Sequence, residues 1–301
     1  MSCSSADNTE TGDEQAVFTE VAVLALSANG VTESTVFNFN SLATGLVLRA
    51  RPKGAELPSQ LCAVIDSVST FEGQAWVGQY ADDGNAYAGG MQRSSLLAGE
   101  SVLVLPNHGA DLMATKALSA RVVVRNCSDG SIPSEGLPEA MQLEVRWLER
   151  PQGTTPLQVT VGVALSETVL SDFLSSINAI FKPANIRFDV ASSDNGAVQL
   201  IPTDCDSGHQ PARIPGGLTH STLSNQVGVC LDSSTNESSV RHAAHQLGHF
   251  LGLFDVGDDA LLDTVDDASN LMVETGSGNS LTPSQIHVMR THPLARVTPV
   301  Q

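Results

Sequence analysis

The sequence predicts two domains in series, an all-β sandwich followed by an α/β domain, and three observations carry that expectation. The chain has 301 residues, 41% of them apolar and 16% charged, which is more than one hydrophobic core usually organises and enough for two. Up to about residue 150 the apolar residues fall in short runs separated by Gly, Pro, Asn and Ser, without a helical period. Beyond residue 156 a strict alternation gives way to apolar spacings of three and four.

Residues 1–16 are polar and acidic and cannot bury a core, so a disordered tether is expected. Cys3 heads it. A cysteine so placed resembles the lipid-bearing cysteine of a mature bacterial lipoprotein, and the alternative is a stray thiol in a tail. The sandwich is assigned to residues 17–150, with strands at 21–26, 35–39, 46–50, 61–65, 102–105, 122–124 and 141–147 and a long Gly- and Asp-rich loop at 81–90. Residues 151–156 hold Pro151, Gly153 and Pro156, the composition of a linker.

The α/β domain is assigned to residues 157–301. Leu157, Val159, Val161, Val163 and Leu165 alternate with smaller or polar residues and predict a strand. Val169, Leu170, Phe173, Leu174, Ile177, Ile180 and Phe181 then share one helical face until Pro183 stops the helix. A strand at 186–190 completes a crossover unit of the kind that builds parallel sheets. After a further strand at 227–231, Ser234 and Glu237 have capping-box spacing and open the next helix.

Charge excludes one class of partner. With 15 Lys plus Arg against 33 Asp plus Glu, a net of -18, the chain repels phosphate backbones, so no nucleic acid is expected. Cys62, Cys127, Cys205 and Cys230 lack close Cys-x-x-Cys spacing and read as two disulfides, Cys62–Cys127 and Cys205–Cys230, one in each domain. The first would link the two sheets of the sandwich. Disulfides imply an oxidising compartment, so the protein is expected to be secreted, periplasmic or held at the cell surface. The competing role for Cys127, a thiolate placed on a metal, is disfavoured because the residues around Arg125-Asn126-Cys127 do not match such a switch.

Chemistry concentrates between Arg241 and Asp255. His245 and His249 are four apart, so on a helix their imidazoles lie one turn apart on one face and can converge on one ion. Gly252 falls where the helix has to end, because glycine enters a left-handed turn without penalty, and the returning chain can bring Asp255 to the same ion. Two imidazoles and one carboxylate leave a coordination position open, the layout of a catalytic zinc site.

This string resembles the metzincin clan of zinc peptidases, whose signature is HExxHxxGxxH or, in a minority, HExxHxxGxxD. His245, His249, Gly252 and Asp255 align with it, and Asn270-Leu271-Met272 resembles the clan's Met-turn, in which a methionine packs beneath the ligands. Residues 281–290, with an N-cap threonine and a first-turn proline, resemble its closing helix. The resemblance covers about residues 157 to 292. It implies a zinc metalloendopeptidase that hydrolyses peptide bonds of a peptide or protein substrate through a zinc-activated water, and a monomer is expected.

Two residues depart from the pattern. The clan's general base is Gln246 here, and an amide holds a water but cannot accept its proton, so this chain is expected to be inactive or weakly active. Asp255 replaces the commoner third histidine and adds negative charge beside the ion. Gln246 has three explanations: an engineered substitution, a natural loss, or rescue by another carboxylate, of which Glu274 is the first candidate. The acidic stretch from Asp255 to Glu274 raises calcium as an alternative, but the EF-hand register is absent and a solvated loop is favoured. Two functions from other classes stay open: a pseudopeptidase acting as a metal-stabilised peptide- or surface-binding module, and a sandwich that serves adhesion or covers the cleft as a pro-domain.

Overall fold

A computed structural model describes residues 18–38, 40, 43, 45–54, 56–58, 60–70, 73, 75–77, 95–97, 100–105, 117–126, 131–148, 156–163, 167–190, 198–203, 220–221, 226–230, 237–253, 268–273, 277–292 and 295–297. The expected tether with Cys3, the loop at 81–90, residues 151–155 of the linker, Cys127, Cys205, Asp255, Glu274 and the acidic stretch 254–267 lie outside the described residues.

The first half of the chain is all strand. β1 (Thr19–Ala25), β9 (Ala140–Leu148), β3 (Gly45–Pro52), β7 (Glu100–Leu105) and β6 (Ser95–Leu97) form one antiparallel sheet in that order. β2 (Thr35–Asn38), β8 (Ala117–Asn126), β4 (Leu61–Thr70) and β5 (Ala75–Val77) form the second, also antiparallel. Leu46, Leu48, Leu103 and Leu105 from the first sheet meet Ala63, Ile65, Leu118 and Val122 from the second in one buried cluster. Side chains alternate across a strand, which is why every second residue of β3 and β7 joins this core.

Cys62 corrects one expectation. β4 and β8 are neighbours in the same sheet, with Leu61 opposite Asn126, so a bridge from Cys62 to the residue after β8 would staple adjacent strands instead of linking the sheets. Cys62 is buried and disulfide-bonded, and its partner lies outside the described residues.

The opposite face of β3 and β7 is apolar at one end and charged at the other, where Arg49, Arg51 and Glu100 lie. Val47, Val102 and Val104, with Leu148, point away from the sandwich core and join a second cluster built from residues 157–289. At those four residues the five-stranded sheet is therefore covered on both faces, and the hydrophobic core does not stop at the linker. Arg146, on β9, adds a polar tie by donating to the Thr291 carbonyl.

Behind that sheet stands a mixed one. β10 (Leu157–Val163) pairs in parallel with β11 (Ile186–Val190) on one edge, and its other edge is shared by β12 (Val198–Thr203), parallel, and β15 (Arg296–Val297), antiparallel. β14 (Gln226–Cys230) follows β12 in parallel, and β13 (His220–Ser221) closes the edge antiparallel. The β10–β11 connection is α1 (Glu167–Phe181), whose Phe173, Leu174, Ile177 and Phe181 are buried at the predicted spacing. Burial of side chains this size stabilises by about 2 kcal/mol each. A short 3-10 turn, Lys182–Ala184, ends on Asn185 in the left-handed region at φ 51°. Asn178 fastens the helix to the sheet: its amide nitrogen donates to the Phe188 carbonyl at 3.1 Å and its oxygen accepts from the Phe188 amide at 2.8 Å. α2 (Glu237–Phe250) and α3 (Pro283–Thr291) complete this half. Among the described residues no helix is long and apolar enough to cross a membrane.

Candidate metal centre

α2 is buried almost all round: from Ser239 to Phe250 only His242 is partly exposed. Ala243, Ala244, Leu247 and Phe250 supply the apolar contacts that hold it in the core. It ends in a Schellman arrangement. Gly252, at φ +89°, donates to the His249 carbonyl at 2.9 Å, and Leu253 donates to the Gly248 carbonyl at 3.0 Å. A side chain at Gly252 would also approach Val104 of the sandwich sheet at 3.5 Å, so the turn rests on that sheet.

The turn has a consequence for the histidines. It carries the Leu253 carbonyl back to His249, whose Nδ1 lies 2.9 Å from it, while the Nδ1 of His245 lies 3.0 Å from the Leu271 carbonyl. A carbonyl oxygen only accepts, so both Nδ1 atoms carry the proton and both Nε2 atoms present lone pairs. Those Nε2 atoms stand 3.1 Å apart, with the rings at 88° to each other. Two lone pairs at that distance repel unless they share a proton or a cation. Two nitrogens at zinc-bond length around a tetrahedral ion stand about 3.3 Å apart, so the pair fits such an ion, and each imidazole already has the carbonyl partner that fixes a metal-binding tautomer. Among the described residues no third His, Cys, Asp or Glu joins them.

Gln246 follows His245 and is buried, and its Oε1 has no hydrogen-bond partner among the described residues. Leaving a buried carbonyl oxygen unpaired costs about 1–3 kcal/mol, so this atom is placed for a donor from a ligand or a water. His242 is half-buried and its ring lies nearly parallel to that of His245, centroids 6.4 Å apart. His292 is fully enclosed, and burial together with the nearby Arg146 cation lowers its pKa to about 3.

Met272 is fully buried and packs on α2 between the two histidines: a Cβ built on Gly248 would lie 2.6 Å from its sulfur. The turn that carries it is held by side chains that were assigned no role of their own from the sequence. Asn270 Oδ1 accepts from the Met272 amide at 2.9 Å, and Asn270 and Gln285 bond reciprocally through both amide groups at 2.9 and 3.0 Å. Gln285 is also the third residue of α3 and closes a capping box with Thr282. The Thr282–Pro283 pair was legible as a helix start; the Thr-x-x-Gln spacing was the available signal for Gln285. Arg241, one turn before His245, reaches the same turn through its guanidinium. A cavity of about 820 Å³ between α1, the first turn of α2 and residues 278–280 is not lined by His245, Gln246 or His249, so it is separate from the histidine pair.

Searches for related proteins give little. No family model matches the chain, and no curated protein matches it. Among solved structures, two of myroilysin are weakly similar, at 16% identity and TM-scores of 0.29 and 0.30. Each match covers 48% of this chain, with 96% of one myroilysin chain and 88% of the other. Likeness at that level does not bear on what the chain does.

Proposed function

We propose that this chain is a zinc metalloendopeptidase scaffold of metzincin type, with His245, His249 and Asp255 as the metal ligands, Met272 supporting them, and turnover strongly impaired by Gln246. The observation that supports it most is the pair of Nε2 atoms at 3.1 Å, each imidazole held in its metal-binding tautomer by a backbone carbonyl. Zinc, when bound, is a Lewis acid that polarises a peptide carbonyl and makes water more acidic. The chain's own groups then have defined tasks. His245 and His249 hold the ion in place, and the unpaired Oε1 of Gln246 accepts a hydrogen bond from a water without taking its proton. A second reading, a pseudopeptidase that binds peptides or surface partners around a structural metal, is favoured by Gln246 itself. In either case the substrate or partner is a peptide or protein, and the setting is extracellular, periplasmic or cell-surface.

Gln246→Glu separates the two. The peptidase scaffold predicts a gain of about 100-fold or more in chelator-sensitive hydrolysis of an unfolded protein, because a proton acceptor is restored. No gain at equal zinc content favours the binding module. An unmodified chain that already cuts as fast as the Glu variant refutes both and points to Glu274.

A further inference from the structure

We propose that Arg241 is a positioning residue for the metal centre, acting on His245 through the backbone carbonyl of Leu271. The proposal rests on the reading that His245 and His249 hold zinc, and it deepens that reading.

Arg241 is 8% exposed on a helix otherwise almost without charge, and its guanidinium donates to three backbone oxygens. Nη2 donates to the Leu271 carbonyl at 3.0 Å and also to the Val273 carbonyl, and Nε donates to the Gly278 carbonyl at 3.1 Å. The Leu271 carbonyl is the one that accepts from His245 Nδ1 at 3.0 Å. One oxygen therefore takes two donors from one helix, four residues apart. That spacing puts both side chains on the same stripe of α2, so neither can slide along the turn without the other.

The division of work follows from donor strength. An imidazole N–H is a neutral donor, whereas a hydrogen bond from a guanidinium is about twice as strong, so the arginine holds the shared carbonyl more firmly than the histidine does. The planar fork sets Nη2 against the carbonyls on both sides of Met272, Leu271 and Val273, and Nε against that of Gly278, so two nitrogens at a fixed separation tie the two ends of the turn together as a single ammonium could not. Arg241 thus sets where the carbonyl stands, the carbonyl sets the His245 ring, and the ring sets the Nε2 that faces His249.

The test uses the full chain and zinc alone. Zinc affinity is measured by competition with a chromogenic chelator, and the cobalt(II)-loaded protein is measured by its ligand-field absorption. Arg241→Gln, which keeps one donor and no charge, is expected to lower zinc affinity about 10- to 100-fold, the usual effect of losing a partner behind a ligand. At saturating cobalt its absorption band is expected to shift. Arg241→Lys keeps the charge without the fork and is expected to fall between; it carries the test if the Gln variant does not fold. Zinc affinity within twofold of the parent in the folded variants, with an unchanged cobalt band, overturns the proposal even if thermal stability drops, because that is what a purely structural clamp would do. The reading beneath it fails in a different way: His245→Ala/His249→Ala would then bind zinc as tightly as the parent.

Discussion

Gly248 leaves the place of its side chain to the sulfur of Met272. A Cβ on Gly248 would lie 2.6 Å from Sδ and 3.4 Å from Cε, and Met272 is fully buried, so its thioether has little room to retreat. The residue just before His249 is thus small for a steric reason, because the methionine beneath the two histidines needs the backbone of α2 exposed to it.

Gly248→Ala tests this contact through a change of sign. Alanine gains about 1 kcal/mol over glycine in a helix interior, while overpacking costs about 1–3 kcal/mol. The substitution alone is expected to destabilise by up to about 2 kcal/mol. In a Met272→Ala background the obstruction is gone, and Gly248→Ala should become neutral or stabilising. Denaturant unfolding of the four proteins gives the coupling directly; equal effects in both backgrounds would show that the two residues do not compete for space.

Metal removal should be felt as lost stability. If zinc binds only the folded chain, saturation at about 1,000 times its dissociation constant adds about 4 kcal/mol. Chelator should therefore lower the unfolding midpoint of the parent and leave that of His245→Ala/His249→Ala unmoved. A parent midpoint indifferent to chelator, at a zinc content of one per chain, would mean that the ion is not bound by a site that only the folded chain forms.

His292 gives a pH dependence with a definite sign. Its folded pKa is pushed down to about 3 from an ordinary 6.5, by burial first and Arg146 second. The neutral form is the one that folds, so its stabilisation is complete above about pH 6.5 and is lost as pH falls towards 3. The loss is about 1.4 kcal/mol for each pH unit in that window. His292→Leu should flatten the acid limb of a stability-against-pH curve between pH 6 and 4, and parallel limbs for the two proteins would rule the histidine out.

Much of this was legible, for reasons visible in particular residues. The spacing of Phe173, Ile177 and Phe181 allowed only a helix, and Thr282 before Pro283 marked the start of another. Gly252 announced the left-handed turn that the backbone adopts there. Several things were missed, β12 at 198–203 in the middle of the mixed sheet among them. β5 and β6 are strands of three residues and leave too short a pattern. Arg241 acts on backbone carbonyls far along the chain, and such partners have no sequence spacing, whereas Asn270 accepts from the amide two residues on, a local turn spacing that was available as a signal. The continuous apolar runs at 46–48 and 102–105 were read as ordinary sandwich strands, although a strand apolar at every position signals burial on both faces.

That doubly covered sheet limits what proteolysis can do to the molecule. Val47, Val102, Val104 and Leu148 would be stripped of their cover if the two halves came apart, and the turn at Gly252 would lose the floor beneath it. A cut in residues 149–155 would therefore leave a nicked molecule whose fragments stay together. The sandwich is less a detachable cover for the histidine-bearing helix than part of its foundation.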